Sequence, residues 1–210
     1  GGFLPFEFVL PAGAVKMKNR LVVRVDDTRS PRRIPGDNYD WFNYGGILRD
    51  VILTIRDNAH FGSVRVSTAI ESSDAASVSI DFKQSHPFPF TWKILHGRKI
   101  VAEGTSLSKL KQGCIKTAVN KPKLWSPESP ELYRLELSPA DNAAGDTASV
   151  RFGIREIRTD GAKILLNGKT VKLRGVSLHE ELVPSGRSLT REERYRDVRD
   201  IKALGFNALR

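Results

Sequence analysis

The side chains best suited to chemistry in this sequence form no complete catalytic signature. His179-Glu180 matches the start of a zinc-binding helix, but the second histidine of a His-Glu-x-x-His motif is missing. The sequence contains no Gly-x-Ser-x-Gly elbow, no dinucleotide-binding glycine motif and no phosphate-binding loop. The densest cluster of like charge is Arg29, Arg32 and Arg33 in a proline-containing segment. These residues taken alone therefore indicate no particular reaction.

The elements that must position any site are mostly β-strands. Short runs of alternating apolar and polar residues are typical of antiparallel strands with one buried face, and their spacing in residues 59–157 predicts an immunoglobulin-like sandwich. Asn167-Gly168, between two apolar runs, predicts a hairpin turn. Residues 26–46 form a long irregular stretch, and such loops usually have a function. The alternating runs are residues 21–25, 63–67, 77–82 and 132–137.

The pattern changes toward the end of the sequence. Residues 171–178 are predicted to form one strand. Thr190 followed by Glu193 is a capping box, which predicts a helix that Gly205 ends. Residues 206–210 are predicted to form a second strand, parallel to the first, because a helix connects the two. An α/β unit therefore begins in this part of the chain.

Composition excludes several classes of protein. The 210 residues include one cysteine, Cys114, so we expect neither an internal disulfide framework nor a cysteine-rich zinc site. No apolar run approaches the roughly 20 residues of a membrane helix, so no membrane partner is expected. The net charge of +10 could attract nucleic acid, but the basic residues are scattered and their one cluster lacks interleaved aromatic residues. We therefore expect no nucleic-acid partner.

Seven stretches of the sequence carry a recognisable pattern. They are GGFLPF at 1–6, YDWFNYGGILRDV at 39–51, LWSPESPELY at 124–133, FGIR at 152–155, LNGK at 166–169, LRGVSLHE at 173–180 and LGFNALR at 204–210. In this order and spacing they resemble glycoside hydrolase family 2, the group of the β-galactosidases and β-glucuronidases. Any one stretch is weak evidence, but the series is specific and covers essentially the whole chain.

The resemblance implies a mainly β fold that ends in the start of a TIM barrel. It also implies an internal piece of a longer enzyme, without the first part of the jelly-roll domain and most of the barrel. The parts are the C-terminal portion of a sugar-binding-like jelly-roll domain in residues 1–58, an immunoglobulin-like β-sandwich in 59–157, and the first β/α unit of a (β/α)8 barrel in 158–210.

The activity that the resemblance implies is retaining hydrolysis of a terminal β-linked sugar by two carboxylates, an acid/base and a nucleophile. In the family these follow barrel strands four and seven, so neither is expected in this sequence. We therefore expect these 210 residues alone to be inactive. No cofactor and no metal site are expected.

The resemblance also assigns roles to individual residues. Asp40 corresponds to an aspartate that contacts the sugar, and a carboxylate can accept hydrogen bonds from two hydroxyls. His179 corresponds to a contact to a substrate hydroxyl, and Glu180 is a supporting substrate-binding candidate. Arg210 ends the second barrel strand and corresponds to an arginine beside the nucleophile, where a fixed cation keeps a carboxylate ionised and oriented.

Each of these residues also has a structural interpretation. Asp40 could cap a turn, His179 could be a loop histidine with a local partner, and Arg210 could belong to a structural ion pair. Trp125 and Tyr133 are predicted to anchor the core of the sandwich and not to stack on a sugar.

The sugar and the assembly stay open. A galactoside or a glucuronide is expected ahead of a mannoside, and residues 40–44 lean towards the glucuronidase branch. Arg29, Arg32 and Arg33 could favour an acidic sugar, but a solvated charge run is the commoner explanation. The alternative function is a non-catalytic carbohydrate-binding or structural β-sandwich module. The sequence decides neither the compartment nor whether the protein is a homo-oligomer.

Overall fold

The computed structural model of the chain describes residues 4–11, 13–28, 30–32, 36, 42, 44–107, 109–140 and 144–210. The chain divides into two compact units. The loop unit contains Gly1–Val51 and His179–Arg194, and the sandwich unit contains Ile52–Leu178 and Tyr195–Arg210. The described strands and helix, in chain order, are β1 (Phe61–Ser72), β2 (Ala75–Gln84), β3 (Phe90–His96), β4 (Lys99–Ser106), β5 (Gln112–Asn120), β6 (Tyr133–Pro139), β7 (Ala148–Phe152), β8 (Ile157–Asp160), β9 (Lys163–Leu166), β10 (Lys169–Val171), β11 (Gly175–Val176), α1 (Arg191–Ala203) and β12 (Ala208–Leu209).

Two antiparallel sheets form the β-sandwich. One has the strand order β1-β2-β5 and the other has the order β4-β3-β6-β7. Along β2 the side chains alternate between buried and more exposed positions, as expected for a sheet with one face on the core. The strands predicted at residues 63–67, 77–82 and 132–137 are confirmed within β1, β2 and β6, with Leu132 just outside.

Side chains from both sheets meet in one hydrophobic core. Ile80 of β2, Phe90 and Ile94 of β3, and Leu135 of β6 have no solvent-accessible surface. Burying a side chain of this size stabilises the fold by about 1.5–3 kcal/mol. The rings of Phe82 and Phe90 meet edge to face with 4.9 Å between their centroids, a favoured aromatic geometry. Core packing therefore joins the two sheets.

The two aromatic residues predicted as core anchors lie in different environments. Tyr133 is 2% exposed, which confirms the prediction; its hydroxyl accepts a hydrogen bond from the Lys123 amide at 2.8 Å, and burial raises the pKa of its phenol. Trp125 is half-buried and lies outside the buried core. The Trp125 side chain packs closely against Gly153, and the Arg155 guanidinium lies 4.6 Å from its ring centroid. These two neighbours hold Trp125 at the border of the sandwich.

The predicted hairpin is confirmed between β9 and β10. Asn167 and Gly168 have φ angles of 51° and 76°, the left-handed conformation that a tight two-residue hairpin turn requires. The Asn167 side chain also accepts a hydrogen bond from the Glu156 amide at 3.0 Å and donates one to the Trp125 carbonyl at 3.0 Å. One turn residue therefore ties the three-stranded sheet β10-β9-β8 to the border of the sandwich.

The α/β unit at the end of the chain is confirmed, with one correction. β11 and β12 pair in parallel, and α1 lies between them in the sequence. The single strand predicted over residues 171–178 is wrong, because β10 ends at Val171 and β11 is only Gly175–Val176. Between β10 and β11, the Asn207 side chain makes two hydrogen bonds: it accepts from the Arg174 amide at 2.7 Å and donates to the Lys172 carbonyl at 3.0 Å.

The strand predicted at residues 21–25 is also wrong. No strand occurs among the described residues before β1, and Leu21 and Val22 are 74% and 80% exposed. A strand is stabilised by a hydrogen-bonded neighbour and a buried face, and this segment has neither among the described residues. Alternation alone therefore overpredicted a strand here.

α1 is the one helix in the described part of the chain. Its 13 residues fall short of a bilayer, and the described residues contain no helix long and apolar enough to cross one.

Candidate functional site

Arg210 lies at the carboxyl end of the parallel pair of strands. The ladder joins Gly175 to Ala208 and Val176 to Leu209. It continues past the strands, because the Arg210 amide donates to the Val176 carbonyl at 3.0 Å and the Leu178 amide donates to the Arg210 carbonyl at 2.9 Å. The backbone of Arg210 is therefore fixed where the two strands end.

A neighbouring hydroxyl contacts the Arg210 side chain. Nη1 of Arg210 donates to Oγ of Ser177 at 3.4 Å, which is a long hydrogen bond. The Arg210 side chain is exposed. A guanidinium presents five N–H donors in a plane, which suits it to bind a carboxylate through two of them. The arrangement can hold an anionic group at the end of the strand pair.

His179 and Glu180 follow Leu178 in the sequence and belong to the loop unit, whereas Arg210 belongs to the sandwich unit. The His179 side chain is exposed. Glu180 is half-buried, and its Oε2 accepts a hydrogen bond in an ion pair with Nη2 of Arg49. The carboxylate predicted to support substrate binding is therefore held by a cation of the chain itself.

Arg49 contacts both ends of a short loop. Besides the Glu180 carboxylate, its guanidinium reaches the Arg187 carbonyl, with 2.8 Å between Nη1 and the oxygen. Between these two residues, Leu182 and Gly186 exchange backbone hydrogen bonds of 3.0 and 2.7 Å. Residues 180–187 thus form a closed loop, the Glu180 loop. Arg49 is not part of this loop and contacts both of its ends.

Tyr44 makes a second contact to the Glu180 loop. Its hydroxyl donates a hydrogen bond to the Glu181 carboxylate, with 2.6 Å between the oxygens. This bond, together with burial and the charge of Glu181, raises the pKa of the Tyr44 phenol, because the neutral phenol is the donor. The Tyr44 ring packs against Gly186, where a Cβ atom would lie 2.8 Å from the ring.

The pairing of Arg49 with Glu180 and of Tyr44 with Glu181 was not predicted from the sequence. Arg49, Tyr44 and Glu180 lie in the stretches 39–51 and 173–180, and Glu181 directly follows the second, but the motifs do not reveal which side chains meet. The signal available was an arginine in the first stretch and two consecutive carboxylates, Glu180 and Glu181, where the second stretch ends.

The remaining predicted residue, Asp40, lies outside the described residues, as do Arg29 and Arg33 of the basic cluster. Arg32 is described and exposed. Of the described site residues, His179 and Glu180 are neighbours in the sequence, and Arg210 lies at the end of its predicted strand.

Comparison with known proteins gives two adjoining family matches. The model described as Glycosyl hydrolases family 2 matches residues 47–155, and the model described as Glycosyl hydrolases family 2, TIM barrel domain, matches residues 157–210.

Individual relatives match nearly the whole chain. A protein of Formosa agariphila with a provisional β-glucuronidase name is 30% identical over 220 residues, which covers 100% of this chain and 26% of the relative. A β-galactosidase of Halalkalibacterium halodurans is 27% identical, covering 99% of this chain and 21% of the relative. The apo structure of Bacteroides uniformis β-glucuronidase 3 is 29% identical with a TM-score of 0.80, covering 88% of this chain and 24% of that one. The chain thus spans about a quarter of the length of these relatives.

Proposed function

Because this chain belongs to glycosyl hydrolases family 2, we propose that the protein containing it hydrolyses terminal β-linked sugars with retention of configuration. The names of its relatives, β-glucuronidase and β-galactosidase, support a β-glycoside as the substrate. The observation that carries the proposal is Arg210 at the carboxyl end of the parallel strands, in the part that matches the TIM barrel domain. Active sites of such barrels lie at that end of the strands.

In the proposed reaction, one carboxylate attacks the anomeric carbon and a second protonates the departing oxygen. In retaining enzymes these groups lie about 5–5.5 Å apart, and water then hydrolyses the glycosyl intermediate with the second residue acting as base. Arg210 would hold the nucleophile ionised, because a guanidinium beside a carboxyl group lowers the pKa of that group. Ser177 would orient the guanidinium through their hydrogen bond.

Polar side chains would hold the sugar itself. His179 can donate to or accept from a sugar hydroxyl, and the Asp40 carboxylate can accept from two. Glu180 would have a supporting role and would not contact the sugar directly, since its carboxylate is paired with Arg49. The domain boundaries at residues 58 and 157 are part of the same proposal.

A β-glucuronide is the first substrate to test and a β-galactoside the second. The solved structures with the higher TM-scores, from Bacteroides uniformis and Parabacteroides merdae, are both named β-glucuronidases.

The test is an assay of the protein containing this chain on 4-nitrophenyl β-D-glucuronide, β-D-galactoside and β-D-mannoside, with the α-D-glucuronide as control. We expect turnover of the β-glucuronide, none of the α-anomer, and a product that appears first as the β-anomer in a proton NMR time course. First appearance of the α-anomer would contradict retention. Sugar binding by calorimetry without turnover of any β-glycoside would instead support a non-catalytic carbohydrate-binding module.

A further inference from the structure

We propose that Arg49 is a positioning residue that holds the Glu180 loop, and with it His179, in the conformation that binds substrate; its effect on catalysis rests on the function proposed above. No sugar contact is assigned to Arg49 itself. Its role follows from the groups that its guanidinium joins.

The first support is the pair of contacts that one side chain makes. Nη2 of Arg49 is paired with the Glu180 carboxylate at the start of the loop, and Nη1 donates to the Arg187 carbonyl at its end. A planar guanidinium fixes the distance and the angle between its donors, so it holds the two acceptors in one geometry. A lysine ammonium has no such fork and would pair with one of them.

The second support is the internal closure of the loop. Leu182 and Gly186 exchange two backbone hydrogen bonds, and the Ser188 amide donates to the Ser185 carbonyl at 3.1 Å. The loop is therefore a small closed turn, so a contact at its two ends sets its position as a unit. Tyr44 adds a third point through Glu181.

The ion pair of Arg49 with Glu180 is exposed, so a positioning role of Arg49 can be distinguished from a general effect on the stability of the fold. The side chains of Arg49 and Glu180 are 55% and 39% exposed. Exposed ion pairs add little to the stability of a fold, because water and salt screen them. Loss of Arg49 should therefore loosen the Glu180 loop without lowering the unfolding temperature of the sandwich.

The sandwich offers a matched control. Arg134 and Glu136 of β6 form an ion pair at 2.8 Å, with side chains 50% and 39% exposed. Its exposure is close to that of the Arg49–Glu180 pair, but it lies within a strand. Removing Arg134 costs the same kind of interaction without touching the Glu180 loop.

The experiment measures hydrogen exchange and steady-state kinetics on the protein containing this chain, with R49Q, R49K and R134Q. In R49Q we expect the amides of Leu182, Gly186 and Ser188 to exchange about tenfold faster or more, with an intermediate effect in R49K. We expect kcat/KM to fall about 10- to 100-fold, mostly through a higher KM, because the sugar contacts are misplaced. R134Q should match the wild type in both measurements.

Three results would decide against the proposal or its basis. Exchange at the wild-type rate in R49Q overturns the positioning role, whatever the kinetics show. Faster exchange with unchanged kcat/KM overturns the link to substrate. If the wild type hydrolyses no β-glycoside, the proposed function fails, and the exchange measurement still decides whether Arg49 holds the loop.

Discussion

The Tyr44 hydroxyl donates a hydrogen bond of 2.6 Å to the Glu181 carboxylate, although the two residues are 137 positions apart in the chain. The contact joins the GGILRDV-containing stretch to the Glu180 loop. Together with the contacts of Arg49, this hydrogen bond attaches the Glu180 loop to a distant part of the sequence. The hydrogen bond exists only while the Tyr44 phenol is neutral, so a titration of Tyr44 reports on the contact.

Tyr44 should titrate at higher pH than an ordinary tyrosine. The hydrogen bond to Glu181 raises the pKa of its phenol from 10.0, so the folded protein holds this proton more tightly than the unfolded chain does. The stabilisation is therefore complete below pH 10 and is lost as the pH rises through the folded pKa. NMR titration of 13Cζ-labelled tyrosines should show this, and E181Q should return the Tyr44 pKa towards 10.0. An unchanged midpoint in E181Q would contradict the assignment.

Arg210→Gln should slow catalysis and change its pH dependence. Without the guanidinium, the pKa of the proposed nucleophile carboxyl rises because its ionised form loses a neighbouring cation, so the acidic limb of the kcat/KM profile moves to higher pH. S177A, which removes only the hydroxyl partner of Arg210, should shift the limb less. The profile should be measured with a β-glucuronide substrate. A lower rate with an unshifted limb would mean that Arg210 acts in a different way.

Asn167→Ala should destabilise the sandwich unit through two losses. The side chain bonds the Glu156 amide and the Trp125 carbonyl, and its backbone has φ of 51°, which alanine adopts at a cost. We expect a loss of about 1–3 kcal/mol in urea unfolding. N167G relieves the backbone strain but still lacks both hydrogen bonds, so it should recover only part of the loss. Full recovery by glycine would show that the hydrogen bonds contribute nothing.

Leu135→Ala should be among the most destabilising substitutions in the core. Leu135 has no exposed surface and lies in the central part of the sheet β4-β3-β6-β7, so its truncation leaves a cavity. The expected loss is about 2–5 kcal/mol in urea unfolding. Ile100→Ala, at a site that is 41% exposed, is the control and should cost much less. Equal losses at both sites would contradict the location of the core.

Local sequence signals predicted the elements that depend on neighbouring residues. The capping box is present as expected, with the Thr190 amide donating to the Glu193 carboxylate at 2.7 Å and the Glu193 amide donating to the Thr190 hydroxyl at 3.2 Å. The Asn-Gly hairpin, the sandwich strands, the mainly β fold and the family were also confirmed. Each of these signals lies within a few residues or in a series of motifs.

Contacts between distant residues could not be predicted in the same way. The ion pair of Arg49 with Glu180 joins positions 131 residues apart, and periodicity carries no information on such pairs. The strand predicted at residues 21–25 failed because alternation does not report whether a neighbouring strand is present. The roles of Asp40, His179, Glu180 and Arg210 remain predictions, and the Arg210→Gln variant tests the last of them.

The side-chain carboxamide of Asn207 makes two hydrogen bonds to the backbone that precedes β11, where a main-chain amide would otherwise be expected. A carboxamide presents the same donor and acceptor as a peptide group, so it can take the place of one. Aspartate lacks the donor needed by the Lys172 carbonyl, and shorter side chains do not span the gap. The Asn207 side chain therefore helps to align the two strands, beside the backbone hydrogen bonds that the Arg174 and Val176 carbonyls accept from the amides of Asn207, Ala208 and Arg210.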